Sequence, residues 1–407
     1  MPRAAAAAAL SFVILACPAV LSAQDTRAAE LERERAQKAA ALHPYQPGRL
    51  ENLLLYFEQE NPLVRLSPHN GFFIDYGYTR KPVGSGIALG TGYRHDLFGR
   101  KARMELEAGL SLKKYRLLRA DLSMPYLADG RFELGIEAVD RNNPQEDFFG
   151  LGPSSLKADR VNFRFKGRDY IARAVVRPLD WLQFGTRIGR IDTAIGPGSD
   201  TAYPSLETRF TDASAPGLLV QPDFRYGDVF AAVDYRDSPG NARSGGYYSL
   251  AVRRYDDSGS DRYDFKQIDA VVQQFFPIFD KKRVIAAQVA LTAASADTGS
   301  VVPFYLKPTL GGARTLRSVD EYRFRDDNVL YMNLEYRWEA FSALDMALFT
   351  DWGKVAGRAS DLDLSDLEHA YGIGFRFNTA KSVLLRFDIA TGGSEGVQYL
   401  IHFSNVF

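Results

Sequence analysis

Asp327-Asn328-Val329-Leu330-Tyr331-Met332-Asn333-Leu334-Glu335-Tyr336-Arg337-Trp338 alternates in side-chain character from Leu330 onward. Leu330, Met332, Leu334, Tyr336 and Trp338 fall on one face, and Tyr331, Asn333, Glu335 and Arg337 on the other. A helix repeats every 3.6 residues, so strict period two over this length excludes it and predicts a strand. One face is greasy and the other ionic, the pattern of a strand between lipid and a polar interior. The C-terminal stretch repeats it: Val397, Tyr399, Ile401 and Phe403 point one way, and the chain ends on Phe407. Backbone groups left unpaired in hydrocarbon are too costly to persist, so a membrane sheet of such strands has to close on itself. The expected fold is all-β, a transmembrane antiparallel β-barrel.

Working outward from 327–338, further alternating segments separated by turn residues predict strands near 397–407, 382–391, 368–378, 343–356, 327–340, 282–296, 262–275, 245–256, 223–235, 181–192, 169–178, 158–167, 131–141, 116–126, 101–113 and 85–97, about sixteen in all. An even count places both termini in the periplasm and alternates short turns with longer outer loops. Residues 178–180, 339–343 and 378–381 are tight, whereas 193–222 and 300–326 are long. One segment, 142–157, is long where a periplasmic turn should be short. The barrel is expected over 84–407, and Phe72 to Tyr78 is either a strand or an extended approach to it. Residues 24–83 read as a periplasmic helical and linker segment, with Glu34 and Lys38 at helical spacing and Pro44 and Pro47 ending the pattern.

After the first two dozen residues no apolar run is long enough for a helical membrane span. Arg3, the apolar run Ala4–Ala16 and the small residues Ser22 and Ala23 follow the order of a secretory signal, cleaved after Ala23 and covering 1–23. The same stretch admits a second reading, in which Cys17 is the acylated first residue of a lipoprotein. Cleavage at Ala23 removes the only cysteine, leaving no disulfide framework and no thiolate metal site. Fifty basic residues balance fifty acidic ones, which argues against a nucleic-acid partner. His43, His69, His95, His369 and His402 lack metal-ligand spacing, so no metal and no cofactor is expected. Gly392-Gly393-Ser394-Glu395-Gly396 matches a nucleophile-elbow pattern, but strands lie on both sides where a hydrolase needs a strand and a helix. The chain is not expected to be an enzyme.

Two segments carry chemistry of another kind. The first is Leu310-Gly311-Gly312-Ala313-Arg314-Thr315-Leu316-Arg317-Ser318, followed by Tyr322-Arg323-Phe324-Arg325-Asp326; the second is Phe349-Thr350-Asp351-Trp352-Gly353. Met346, Leu348 and Trp352 share a strand face, so Phe349, Asp351 and Gly353 point inward. A guanidinium in a partly dehydrated lumen needs carboxylates. The alternative is that Arg317 is a solvated loop residue and Asp351 lines a wet pore.

With these two motifs the chain resembles the bacterial surface antigen barrel family, the BamA/TamA-type outer-membrane assembly and transport barrels. The resemblance covers about 84–407 and implies sixteen strands with the loop before the twelfth folded into the lumen. It implies that Arg317 at the loop tip is received by Asp351, with Glu335 as a second acceptor and Gly311, Gly312, Phe349 and Gly353 completing the motif. Ser318 and Val319 depart from the family pattern, which has Gly and an aromatic there. Tyr399, Ile401, Phe403 and Phe407 resemble the signal by which barrel assembly machinery recognises its clients. The polypeptide-transport-associated domains that usually precede the barrel are not seen here. The expected role is envelope biogenesis in the Gram-negative outer membrane, by transporting or inserting polypeptide or lipid, with 300–326 controlling the lumen. Expected partners are outer-membrane lipids, the assembly machinery and a periplasmic or secreted polypeptide; a passive solute pore or structural outer-membrane barrel is the alternative, and an enzyme anchored in the outer membrane the second.

Overall fold

The computed structural model describes residues 68–76 and 85–407, except 342, 379–381, 394 and 404–405, together with scattered positions between 30 and 56. The signal segment 1–23, with Cys17, lies outside the described residues, as does Ser394. Within the expected helical segment, residues 30, 32–34 and 36–37 are helical.

Sixteen strands form one sheet in chain order, every pairing antiparallel: β1 (Gly71–Tyr76), β2 (Ala88–Leu97), β3 (Ala102–Ser111), β4 (Arg116–Leu127), β5 (Phe132–Phe148), β6 (Val161–Leu179), β7 (Leu182–Pro197), β8 (Phe224–Asp234), β9 (Gly245–Asp257), β10 (Phe265–Ile278), β11 (Arg283–Ala296), β14 (Asn328–Phe341), β15 (Leu344–Ala356), β16 (Glu368–Asn378), β17 (Val383–Thr391) and β18 (Gln398–His402). A two-stranded hairpin, β12 (Thr309–Leu310) with β13 (Phe324–Arg325), sits in the loop between β11 and β14. Most strands exceed the roughly 9–11 residues that cross a bilayer. Among the described residues the end strands β1 and β18 share no ladder, so backbone pairing does not close the seam there.

The strand number matches the sequence expectation, but the composition of the set does not. The strands expected at 158–167 and 169–178 are a single strand, β6. Gly167 sits inside that strand rather than in a turn: a Cβ there would lie 2.7 Å from Arg141 Nε, so the glycine makes room for a side chain from β5. The sixteenth strand is β1, which lies before the expected start at 84. Moving the count by one strand also removes the anomaly at 142–157, because the connection after β5 then falls on the long-loop side with those after β7 and β11. The strand expected at 397–407 ends at His402.

Exposed apolar side chains run along the outward face of the sheet, including Leu118, Ile136, Ile188, Leu250, Ile268, Leu348 and Ile373. At the long-loop end, Phe148, Val161, Phe163, Leu206 and Phe304 form a buried cluster that joins the β5–β6 hairpin to the loops after β7 and β11. At the opposite, turn end, the β8–β9 connection reaches other strands: Arg243 Nη2 donates to Asp345 at 2.6 and 2.8 Å, and Val383 N donates to Gly240 O at 3.2 Å. Phe407 packs on Phe275, with ring centroids 6.0 Å apart, and lies against the Arg337 guanidinium at 5.2 Å. Phe275 and Arg337 are buried on the inner face, so the terminal aromatic turns inward instead of extending the outward row of Val397, Tyr399 and Ile401.

Candidate functional site

The loop from β11 to β14 is held by its own turns and by packing against side chains of β14, β15 and β16. Gly311 and Gly312 have φ of +131° and +82°, which only glycine adopts at little cost. A Cβ on Gly311 would stand 2.3 Å from Asp320 O. The Gly311 N–H donates to Thr315 Oγ1 at 2.8 Å, and Gly312 N to Val319 O at 3.1 Å, closing a compact tip. Leu310, Leu316, Val319 and Phe324 then pack against Val329, Val355 and Ala370 of the wall. Val319, standing where the family pattern has an aromatic, is 1% exposed and serves as a core residue. Ser318 is also buried and donates its Oγ to His369 O at 2.9 Å.

That packing delivers Arg317 to the wall with no solvent exposure. Its Nε and Nη2 donate to Asp351 Oδ2 and Oδ1 at 2.8 and 2.6 Å, a bidentate fork, and its backbone N–H adds a contact to Oδ2 at 3.2 Å. Nη1 donates to Glu335 Oε1 at 2.6 Å and lies 3.6 Å from Asp388 Oδ2. The guanidinium also covers the Phe349 ring at 3.4 Å from the centroid. Gly353, inward on the same strand as Asp351, leaves space for Leu310: a Cβ would meet Leu310 Cδ1 at 2.8 Å. The structure therefore brings Arg317, Asp351, Glu335, Phe349, Gly353, Gly311 and Gly312 into one site. It does not bring Tyr399, Ile401, Phe403 and Phe407 onto one surface, because Tyr399 and Ile401 are exposed while Phe407 turns to the inner face.

Three further inward charges, Arg376, Arg386 and Asp388, belong to this site. Arg376 donates to Glu335 Oε1 at 3.0 Å and to Asp388 Oδ1 at 2.5 Å; Arg386 lies 3.1 Å from Asp388 and donates to Ala313 O at 2.6 Å. Arg337 donates to Glu335 Oε2 at 2.7 Å. Asn333 joins the loop to the wall, donating to Thr315 O and to Asp351 Oδ1, both at 2.8 Å. Inward parity on neighbouring strands is the signal that finds them, once the loop is known to lie between them.

A second anchor holds the rest of the loop. Glu395, in the β17–β18 connection, accepts from Asp320 N at 2.8 Å and Arg323 Nε at 2.7 Å. Arg323 also donates to Ser155 O at 2.8 Å. Lys157 reaches Asp320 and Glu395 at 3.0 and 3.2 Å, and against the burial that opposes its charge these carboxylates hold its pKa above the usual lysine value. His402 lies 4.0 Å from Glu321. Beside the loop, a lumen chamber of about 540 Å³ is lined by Arg187, Arg253, Tyr255, Tyr305 and Arg325 among others. Among the described residues no group of three or more His, Cys, Asp or Glu is placed to hold a metal ion. The arrangement can fix a loop in position.

The Omp85 superfamily domain matches residues 96–404. Among solved structures, BamA from Haemophilus ducreyi lacking POTRA domains 1–3 is similar with a TM-score of 0.62 at 15% identity, over 82% of this chain and 69% of that one. CdiB from Acinetobacter baumannii is similar with a TM-score of 0.50 at 11% identity, over 83% of this chain but only 57% of its own length. At these identities the likeness is one of fold. No curated protein matches in sequence.

Proposed function

The chain belongs to the Omp85 superfamily, and from that premise we propose that this outer-membrane barrel serves envelope biogenesis by moving or inserting polypeptide or lipid, with the loop over 300–326 controlling the lumen. The observation that carries the reading is the fully buried Arg317 shared by Asp351 and Glu335. Burying a guanidinium costs several kcal/mol unless its geometry and hydrogen bonds are very good, as they are here. A passive pore has no need of so exact a fixture across its lumen. The seam supports the same reading, because β1 and β18 are short and share no ladder among the described residues, leaving the edge where a client strand or lipid gains access.

Both β1 and β18 have their outer ends, Gly71 and His402, on the turn side, which we assign to the periplasm. The outward Tyr399 and Ile401 remain available as the signal read by the assembly machinery, with Phe407 docking inward once the barrel is complete. Planar-bilayer conductance and loop proteolysis of Arg317→Ala test the proposal. Frequent openings and cleavage within 300–326 are expected; unchanged conductance together with an uncut loop overturns it.

A further inference from the structure

The outward faces of the two barrel ends differ in chemistry. At the turn end Tyr126, Phe132, Trp181, Phe276 and Phe341 are exposed, as in an interfacial aromatic girdle. At the long-loop end of β4–β6 the outward positions instead carry Arg116, Lys166 and Arg168 around one carboxylate, Asp140. Arg116 Nη2 donates to Asp140 Oδ1 at 2.8 Å and Arg168 Nε to Oδ2 at 3.2 Å, yet the two arginine side chains stay 53% and 64% exposed. Lys166 is exposed as well. Asp192, opposite Arg168 on β7, is engaged by Arg190 at 2.5 Å. Three cations against one carboxylate leave two positive charges facing outward just above the apolar band.

Directly below them the wall is furrowed. Ala120 and Ala138 are register partners, and Ala172 faces Ile136 on the next strand pair, so three small side chains occupy positions that elsewhere hold Leu, Ile or Phe. Leu106, Leu122, Ile136 and Tyr170 stand around them, enclosing an apolar groove of about 470 Å³. A second hollow of about 260 Å³ carries it up to Asp140 and Arg168. Continuity of an apolar trench with a cationic rim is what a molecule with an acyl tail and an anionic head requires.

We propose that this face binds one phosphorylated, multiply acylated glycolipid of the leaflet adjoining the long loops. An acyl chain lies in the Ala120–Ala138–Ala172 groove, and a phosphate is gripped by Arg116 and Arg168 beside Asp140. Guanidinium forks match phosphate oxygens, and Lys166 adds a third cation at the same level. Each basic side chain near an anionic headgroup contributes about fivefold to binding.

The full chain, purified in mild detergent and stripped of lipid, is offered equal amounts of lipopolysaccharide or phosphatidylglycerol, and retained lipid per barrel is counted by native mass spectrometry. One lipopolysaccharide per barrel is expected, with phosphatidylglycerol retained much less. The pair Arg116→Ala/Arg168→Ala should lose at least about tenfold in retention, and Ala138→Trp, which fills the groove from outside, should lose retention while heat-modifiable mobility stays normal. Arg283→Ala, on β11 at the turn end and away from the groove, should retain lipid as before. Equal retention of the two lipids, or unchanged retention in both the arginine pair and Ala138→Trp, overturns the proposal. So does efficient disulfide pairing of Ala172→Cys between two barrels, which would make the face a contact between copies.

Discussion

Two walls of the same lumen carry the same residue types and put them to different uses. On β14–β17, Glu335, Asp351 and Asp388, with Arg317 brought by the loop, have side chains with no exposure. On β3–β6, Arg119 pairs with Glu105 and Glu137 at 2.8 and 2.6 Å, and Arg173 with Asp121 and Glu133 at 2.6 and 3.1 Å. There several side chains remain partly open, Arg173 at 20%, Glu137 at 30% and Arg177 at 33%, and even Arg119 and Asp121, at 8% and 6%, are not sealed off. The distances are alike; what differs is the loop lying over one wall. Coverage, and not the number of charges, turns an ordered ionic surface into a lock. Water weakens the open pairs and lets a lost partner be replaced; the covered cluster has no such substitute.

Substitutions at the two walls should separate them. The largest effect is expected for Arg317→Ala, which leaves Asp351 without its cation and takes one of three arginines from Glu335; it should destabilise by about 3–5 kcal/mol, read as a lower midpoint of heat-modifiable mobility. Arg317→Lys should recover only part of it, since an ammonium cannot make the two-pronged contact. Next comes Gly311→Ala, which forces a side chain into φ +131° and against Asp320 O; a cost of about 1–3 kcal/mol is expected, with cleavage of the loop by added protease as the measurement. Gly312→Ala should cost less, because the atoms in its way are the movable carboxylate of Glu321. On the open wall, Arg177→Ala should change the midpoint by less than about 1 kcal/mol; an effect as large as that of Arg317→Ala would erase the contrast.

The smallest effect is a pH dependence at the turn end, outside both walls. Partial burial tends to raise the Asp237 carboxyl, but Lys281 Nζ at 2.9 Å, the N–H groups of Arg243 and Ser244 and the Ser244 hydroxyl win and pull it down to about 2. A depressed carboxyl stabilises the fold above its ordinary pKa near 4 and loses that contribution as pH falls toward 2. Asp237→Asn should therefore flatten the acid limb of the stability profile between about pH 4 and 2; an unchanged limb would show that the turn contributes nothing there.

Much of this architecture is legible in the chain, and the parts that are not have identifiable causes. The 327–338 alternation becomes β14 because lipid on one side and charge on the other leave no freedom of register. In β6 the local pattern misleads, since Gly167 interrupts the alternation as a turn would; only the Arg141 side chain beside Gly167 shows why a glycine belongs in mid-strand. Arg317, Asp351 and Glu335 could be paired through the family motif. Arg376, Arg386 and Asp388 could not, because their partner arrives from a loop some 60 residues away and no local pattern records where that loop will lie. The inward turn of Phe407 likewise answers to Phe275 and Arg337, which are distant in sequence.

The β8–β9 connection has a mechanical meaning. Through Arg243 on Asp345 and Gly240 on Val383 it spans from one side of the sheet to strands several places along, as a tie-rod braces a hoop. A hoop so braced cannot be squeezed into an oval without stretching the rod or unhooking it. In this barrel, then, a change of cross-section and the unhooking of that connection would be one and the same movement.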